Sequence, residues 1–209
     1  MVLTMGGQVL YTDPIGGAEV FAGQSVSNII LITDIHQDHF DLNTLKAVST
    51  TDAIIIVPQA VREQLPDDIL GTVVVLKNGE KTTQKKMEIE AIPMYNIPES
   101  ADTFHTKGRG NGYVVSADGK RVYIAGDTSA VPEMKNLQNI DIAFVPMNLP
   151  YTMDVEEAAD AVLAFKPKVV HPYHYRGQGG LADVNKFKEL VESKDSNIKV
   201  ELLNFYPER

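Results

Sequence analysis

The chain of 209 residues carries 28 acidic side chains against 19 lysines and arginines, for a formal net charge of -9, and it contains no cysteine. Because phosphate binding requires a basic face, this charge argues against nucleic acid as the main partner. The absence of cysteine excludes disulfides, thiolate metal ligands and a cysteine nucleophile, so any metal must be held by histidine and carboxylate side chains. No apolar run approaches the roughly 20 residues that a membrane-spanning helix needs.

Short β-branched and apolar runs recur along the whole chain and predict strands. In chain order they are Gln8–Thr12, Asn28–Thr33, Ala53–Val57, Thr72–Leu76, Met87–Pro93, Gly112–Ser116, Arg121–Ala125, Asp141–Pro146, Lys168–His171 and Ile198–Asn204. Asp118-Gly119 predicts a hairpin turn between the sixth and seventh of these strands. Asn78-Gly79 predicts another tight turn.

Helical patterns lie between some of the strands. The clearest is Asp154–Phe165, where an aspartate can cap an apolar stripe of helical period. Asp183–Ser193 repeats this pattern, and Leu42–Val48 and Pro58–Leu65 are shorter. The alternation of strands and helices predicts a single α/β domain over residues 1–209.

The first residues and two loops have their own patterns. Met1–Thr4 has the pattern of a strand end before a glycine turn, and no basic, apolar leader is visible, so we expect a cytoplasmic location. A secreted or periplasmic location would follow if relatives have a leader that this chain lacks. Ile97–Gly110 and the glycine-rich Arg176–Gly180 are predicted loops, and loops as long as the first are often functional.

Ligand-type side chains are concentrated in the turn after Asn28–Thr33. Asp34, His36, Asp38 and His39 fall within six residues. Imidazole together with carboxylate suits Zn, Fe or Mn. Asp34 and His36 are two apart and share a face if the strand continues, whereas Asp38 and His39 would point toward a second ion, as a two-metal site requires. The competing interpretation is a solvated turn that happens to be rich in histidine.

Two more strand ends carry similar chemistry. Asp127 follows Gly126 directly after a predicted strand and is placed to bridge two ions. His171 and His174 accompany the end of Lys168–His171, so one of them is a candidate ligand and the other a candidate substrate contact. Taken alone, Gly126-Asp127 is more typical of an ordinary turn, whereas the motif around His171 and His174 is equally typical of an aromatic packing cluster.

The order of the three motifs resembles the metallo-β-lactamase superfamily. More narrowly, the chain is similar to the branch of Zn-dependent hydrolases that includes L-ascorbate-6-phosphate lactonase and N-acyl phosphatidylethanolamine phospholipase D. The resemblance implies a four-layer αβ/βα sandwich (metallo-β-lactamase-like) that lacks the family's N-terminal strand, with the metal site at one edge. It places His36 in site one and Asp38, His39 and His174 in site two, with Asp127 as the bridge.

The chain departs from the family pattern in site one. Asp34 stands where the family usually has histidine, which adds negative charge and a harder ligand. The resemblance therefore implies two divalent ions, with Zn favoured and Mn or Fe as alternatives. The third ligand of site one is either Asn96 or His105, and we favour His105 because imidazole binds these metals better than an amide does.

The function implied by the resemblance is that of a metal-dependent hydrolase. It would direct a metal-bound hydroxide at an ester, lactone, amide or phosphodiester bond of a small molecule, with Asp38 orienting the water. His171 and Tyr175 are candidate catalytic donors to the developing negative charge. The alternatives are a di-iron redox protein and a metal-binding protein without turnover.

Overall fold

The computed structural model describes residues 1–207. Its first sheet has five strands in the order β1 (Val2–Met5), β2 (Gln8–Thr12), β3 (Ile29–Leu31), β4 (Ile54–Val57) and β5 (Thr72–Val75). β1 pairs antiparallel with β2 at one edge, and all the other neighbours are parallel. Parallel strands place their carboxyl ends at one edge of a sheet, so the turn after β3 opens there.

The second sheet has seven strands. They are β6 (Lys81–Gln84), β7 (Met87–Met94), β8 (Gly110–Ala117), β9 (Lys120–Ile124), β10 (Ile142–Pro146), β11 (Val169–Tyr173) and β14 (Lys199–Val200). Their order in space is β14-β11-β10-β9-β8-β7-β6, in which β6 to β9 form an antiparallel meander and the rest are parallel. β12 (Arg176–Gly177) and β13 (Gly180–Leu181) form a separate short hairpin.

Helices cover the outer face of each sheet. They are α1 (Leu42–Val48), α2 (Gln59–Arg62), α3 (Pro132–Lys135), α4 (Val155–Phe165) and α5 (Val184–Lys194), together with a 3-10 helix at Ala18–Phe21. Because successive strand residues point to opposite faces, Leu31 packs between the two sheets while Ile30 packs against α1 and α2. Val162 of α4 packs on the outer face of the second sheet. The result is the four-layer αβ/βα sandwich that the resemblance implied.

The helix starts agree with the sequence prediction. The Asp154 carboxylate accepts a hydrogen bond from the Glu157 amide at 2.7 Å, and Asp183 caps α5 through the Lys186 amide at 2.9 Å. α4 ends at Phe165, and its C-cap residue Lys166 directly precedes Pro167. Among the described residues, none of the helices combines the length and apolarity needed to cross a bilayer.

The structure departs from prediction at the sheet edges and in the short helices. Lys81–Gln84 forms β6, although its polar sequence does not predict a strand. β6 is an edge strand that is paired on one side only, and polar residues are tolerated at such an edge. The predicted strand Ile198–Asn204 is reduced to the two residues of β14, which pair with β11. The predicted helix Pro58–Leu65 is the single turn of α2, and α3 was not predicted.

Candidate metal centre

The predicted ligands meet where β3, β9 and β11 end. Asp34 to His39 follow β3, Asp127 follows β9, and His174 is the first residue after β11. Gly126 precedes Asp127 with a φ of +66°, and its amide donates to the Tyr173 hydroxyl at 3.1 Å. His105 comes from the long loop between β7 and β8. Residues far apart in the chain are thus gathered at one edge of the sandwich.

Site two contains Asp38, His39, Asp127 and His174, whose ligand atoms all lie within 4.8 Å of one another. His39 Nε2 is 3.4 Å from Asp127 Oδ2, and His174 Nε2 is 3.3 Å from Asp127 Oδ1. The Asp38 carboxylate lies 3.4 Å from His174 Nε2 and is 56% exposed. Two imidazoles and two carboxylates therefore face a common centre.

Site one contains Asp34, His36 and His105, again with ligand atoms within 4.8 Å of one another. Asp34 Oδ2 lies 3.1 Å from His36 Nδ1 and 3.8 Å from His105 Nε2. His105 Nε2 is also 3.5 Å from Asp127 Oδ2. Because its carboxylate contacts histidines of both clusters, Asp127 occupies the position between them that a bridging ligand requires.

The clusters hold buried polar atoms that the protein leaves without partners. Nε2 of His39, His105 and His174 and Oδ1 of Asp127 are buried and have no hydrogen-bond partner among the described residues. Burying an unpaired polar atom is unfavourable, so such atoms call for an explanation such as an unseen ion. Three imidazole nitrogens and one carboxylate oxygen form a donor set that fits Zn, Fe or Mn.

The electrostatics of site two favour positive charge at its centre. Burial opposes protonation of His39, yet Asp127 and Asp13 raise the pKa of His39 well above its ordinary value. Burial likewise works against His174, but the neighbouring carboxylates of Asp127 and Asp38 raise its pKa to about 9. Burial would raise the pKa of Asp127, whereas His39 and His174 hold the pKa of that carboxyl well below its usual range. Protons supply this positive charge in the metal-free protein, and a cation can replace them.

In site one, His105 is set up as a neutral ligand. Burial lowers the pKa of His105, although Asp127 and Asp34 oppose that shift. Asn96 Oδ1 lies 2.9 Å from the His105 amide nitrogen, which donates to it, and 3.2 Å from the ring Nδ1. With Nδ1 donating to Asn96, Nε2 keeps its lone pair toward the cluster. The structure therefore places His105 in the cluster and Asn96 behind it as the group that orients the ring.

Two residues in the surroundings of the ligands were not predicted. Asp13 accepts from the Thr33 amide at 2.8 Å and lies 2.9 Å from His39 Nδ1, so it fixes that ring as Asn96 fixes His105. An Asp-Pro pair alone is not a specific signal. Arg109 forms a bidentate ion pair with Asp34, with Nε 3.0 Å from Oδ1 and Nη2 2.8 Å from Oδ2. No local pattern signals that pair, because 75 residues separate its members.

The structure places His171 and Tyr175, the two predicted catalytic donors, outside both clusters. β11 extends to Tyr173, so His171 lies inside the strand, stacked on Phe144 with its Nδ1 3.0 Å from the Glu201 carbonyl oxygen. The Tyr175 hydroxyl donates to the Leu203 carbonyl oxygen at 3.3 Å. Neither side chain contributes a ligand atom to the clusters, and their catalytic roles stay predictions.

A cavity of about 320 Å³ opens over the clusters. Its lining includes His36, Asp38, His105 and Asp127 from the clusters and Phe104 and Tyr151 from neighbouring loops. The two aromatic rings contact each other edge to face, with centroids 4.9 Å apart. The candidate ligands are thus reachable from solvent beside an aromatic wall.

Comparison with known proteins places this architecture in a family. The family model for the β-lactamase superfamily domain matches residues 1–174. The chain belongs to the metallo-β-lactamase superfamily. A UPF0173 metal-dependent hydrolase of Pyrococcus furiosus is 31% identical over 188 residues, which cover 87% of this chain and 81% of that protein.

Two solved structures are similar over almost the whole chain. A candidate metal-dependent hydrolase from Parabacteroides distasonis is 40% identical with a TM-score of 0.85, and the match covers 98% of this chain and 89% of that one. A metallo hydrolase from Ignicoccus hospitalis is 26% identical with a TM-score of 0.80, and the match covers 97% of this chain and 90% of that one. The predicted superfamily, its fold and an enzyme of the metal-dependent hydrolase class are thereby confirmed, whereas the narrower lactonase-like branch stays a prediction.

Proposed function

We propose that this superfamily member hydrolyses an ester, lactone, amide or phosphodiester bond in a small molecule, using two divalent ions. One observation carries the proposal: four buried imidazole and carboxylate atoms lack partners and face two adjacent centres beneath an open cavity. Three of the four donors are imidazole nitrogens, which favours Zn, with Mn and Fe as alternatives.

The residues divide between the ions as follows. Asp34, His36 and His105 would hold one ion, Asp38, His39 and His174 the other, and Asp127 would contact both. When bound, such ions lower the pKa of coordinated water and polarise a carbonyl or phosphoryl oxygen.

The chain's own groups supply orientation and proton handling. The nearby His174 imidazole lowers the pKa of Asp38, so this half-exposed carboxylate is ionised and can accept a hydrogen bond from a water in the cavity. Asp13 and Asn96 hold two imidazoles in their ligating orientation. Phe104 and Tyr151 offer apolar surface to the part of the substrate that does not react.

The test is an activity panel on the purified full chain, using ester, lactone, amide and phosphodiester substrates. We expect hydrolysis of at least one class, its loss after chelation and its return on addition of zinc. Asp127→Asn should abolish that activity. Asp141→Asn should retain it, because Asp141 pairs with Lys168 before the start of β10, at the opposite end of the sheet from the clusters. A chain that binds no metal, or whose activity is indifferent to chelation, would refute the proposal.

A di-iron redox centre is the second candidate, because Asp34, Asp38 and Asp127 make the combined site rich in carboxylate. The discriminating experiment loads the metal-depleted chain with ferrous iron and measures oxygen consumption with a chemical reductant. Rapid oxygen reduction without hydrolysis would favour this candidate. Tight metal binding with neither activity would instead favour a metal-binding protein without turnover.

A further inference from the structure

The carboxylate of Asp34 is fully engaged by one arginine. Arg109 places Nε 3.0 Å from Oδ1 and Nη2 2.8 Å from Oδ2, while the same Nη2 donates to the Phe104 carbonyl oxygen at 2.6 Å. Asp34 is completely buried, and the Arg109 side chain is 21% exposed. A bidentate guanidinium–carboxylate pair of this kind has a fixed geometry, so the positive charge is held at the edge of site one.

This pair makes the two clusters electrostatically unequal. Of the carboxylates within residues 1–207, only Asp34 belongs to site one alone, and the guanidinium offsets its charge. Site two has Asp38 in its own ligand set and Asp13 behind His39. Among residues 1–207, no lysine or arginine forms an ion pair with Asp13, Asp38 or Asp127.

We propose that the Asp34–Arg109 pair makes site one the weaker of the two metal sites, so that a divalent ion fills site two first and leaves site one first. The inference rests on the proposed function, whose two sites it ranks. Its physical basis is Coulombic: a fixed guanidinium repels an incoming dication and cancels the attraction of the carboxylate it holds. Arg109 is therefore a positioning residue that sets the difference in affinity between the sites.

The test is a zinc titration of the metal-depleted full chain against a chromogenic chelator, with bound ions counted by native mass spectrometry. Wild type should bind two ions in separate steps. Arg109→Met should tighten the second step about tenfold or more, which is the size expected for removing one unit charge a few ångströms from a dication even in a water-like dielectric. Asp34→Asn should weaken the same step by a comparable factor, and neither variant should move the first.

The opposite effects expected for Arg109→Met and Asp34→Asn on the affinity of the second step separate this role from a merely structural one. If the pair only held the loop in place, removing either partner would weaken the second step. Lys107→Met is the matched control, because it removes the same charge from the same loop but at a side chain that pairs with Glu133 at 2.9 Å. Both zinc affinities should be unchanged in this control, and circular dichroism should show every variant folded.

The failure of this inference and the failure of the proposed function have different signatures. Two steps of equal affinity in wild type, or a weaker second step in Arg109→Met, would overturn the inference while leaving a two-metal hydrolase intact. A chain that binds zinc in neither step would overturn both the inference and the proposed function.

Discussion

At the scale of single residues, each supporting side chain acts on one ring or carboxylate of the site. Asp13 contacts His39 Nδ1, and Asn96 contacts His105 Nδ1, so each leaves the opposite nitrogen free toward a cluster. Such supporting contacts fix the tautomer and raise the basicity of a ligating histidine. The two supports serve different sites, which makes their effects separable.

Asp13→Asn should therefore weaken zinc binding at site two, and Asn96→Ala should weaken it at site one. The expected loss is about 10–100-fold at the affected site, the range typical of changes behind a metal ligand. The same stepwise zinc titration measures both, and each variant is the control for the other. Equal losses at both sites in either variant would mean that these residues act through general stability instead.

The histidines of site two predict the pH dependence of metal binding. The pKa of His174 is about 9 in the metal-free protein, so its ring carries a proton at pH 7 that it must lose to become a ligand. The pKa of His39 is raised as well. Apparent zinc affinity should thus increase as pH rises toward about 9, with protons released at pH 7. Isothermal titration calorimetry in buffers of different ionisation enthalpy counts these protons, and a count of zero would contradict the prediction.

At the scale of elements, the ends of strands decide which side chains reach the site. β9 ends in a turn where Gly126 adopts a positive φ, and a Cβ added there would lie 2.6 Å from the Met94 sulfur. Only glycine permits both the backbone conformation and this close approach. The turn thereby places Asp127 between the two clusters.

Gly126→Ala should displace Asp127 and weaken zinc binding in both steps. Gly79→Ala is the matched control, because Gly79 also has a positive φ, of 85°, but a Cβ there would meet nothing within 4 Å. Both variants carry the backbone strain of an alanine at positive φ, about 1–2 kcal/mol, but only the first carries the clash. Chemical denaturation and zinc titration of both variants check this, and equal zinc affinities would show that the close approach at Gly126 is unimportant.

At the scale of the whole molecule, the site exists only when the two sheets are packed together. Asp34 and His39 come from the first sheet, whereas Asp127 and His174 follow strands of the second. An ion held by both groups binds the folded chain and not the unfolded one. Such binding stabilises the fold by mass action.

Zinc should accordingly raise the unfolding midpoint of the metal-depleted chain. At a free concentration 100 times the Kd of one site, the gain in the free energy of unfolding is about 2.7 kcal/mol. Differential scanning calorimetry with and without chelator measures the shift, and Asp127→Asn should remove most of it. A midpoint independent of zinc would mean that the clusters do not join the two sheets through a metal.

Local sequence patterns predict the alternating strands and helices, the aspartate caps of α4 and α5, and the ligand-type turn from Asp34 to His39. These features depend on local spacing: a period of two or 3.6 residues sets a face, and a strand end presents the residue that follows it. For this reason Asp34 to His39 could be read as one ligand turn.

Which of the competing histidines lie in the clusters, and which residues support them, depends on tertiary packing. It put His174 in the cluster and His171 in the core because β11 continues two residues beyond His171. It placed His105 in site one with Asn96 behind the ring, and it paired Arg109 with Asp34 across 75 positions of the chain. Such contacts join distant loops, so they follow from how the sheets pack and leave no periodic pattern in the sequence.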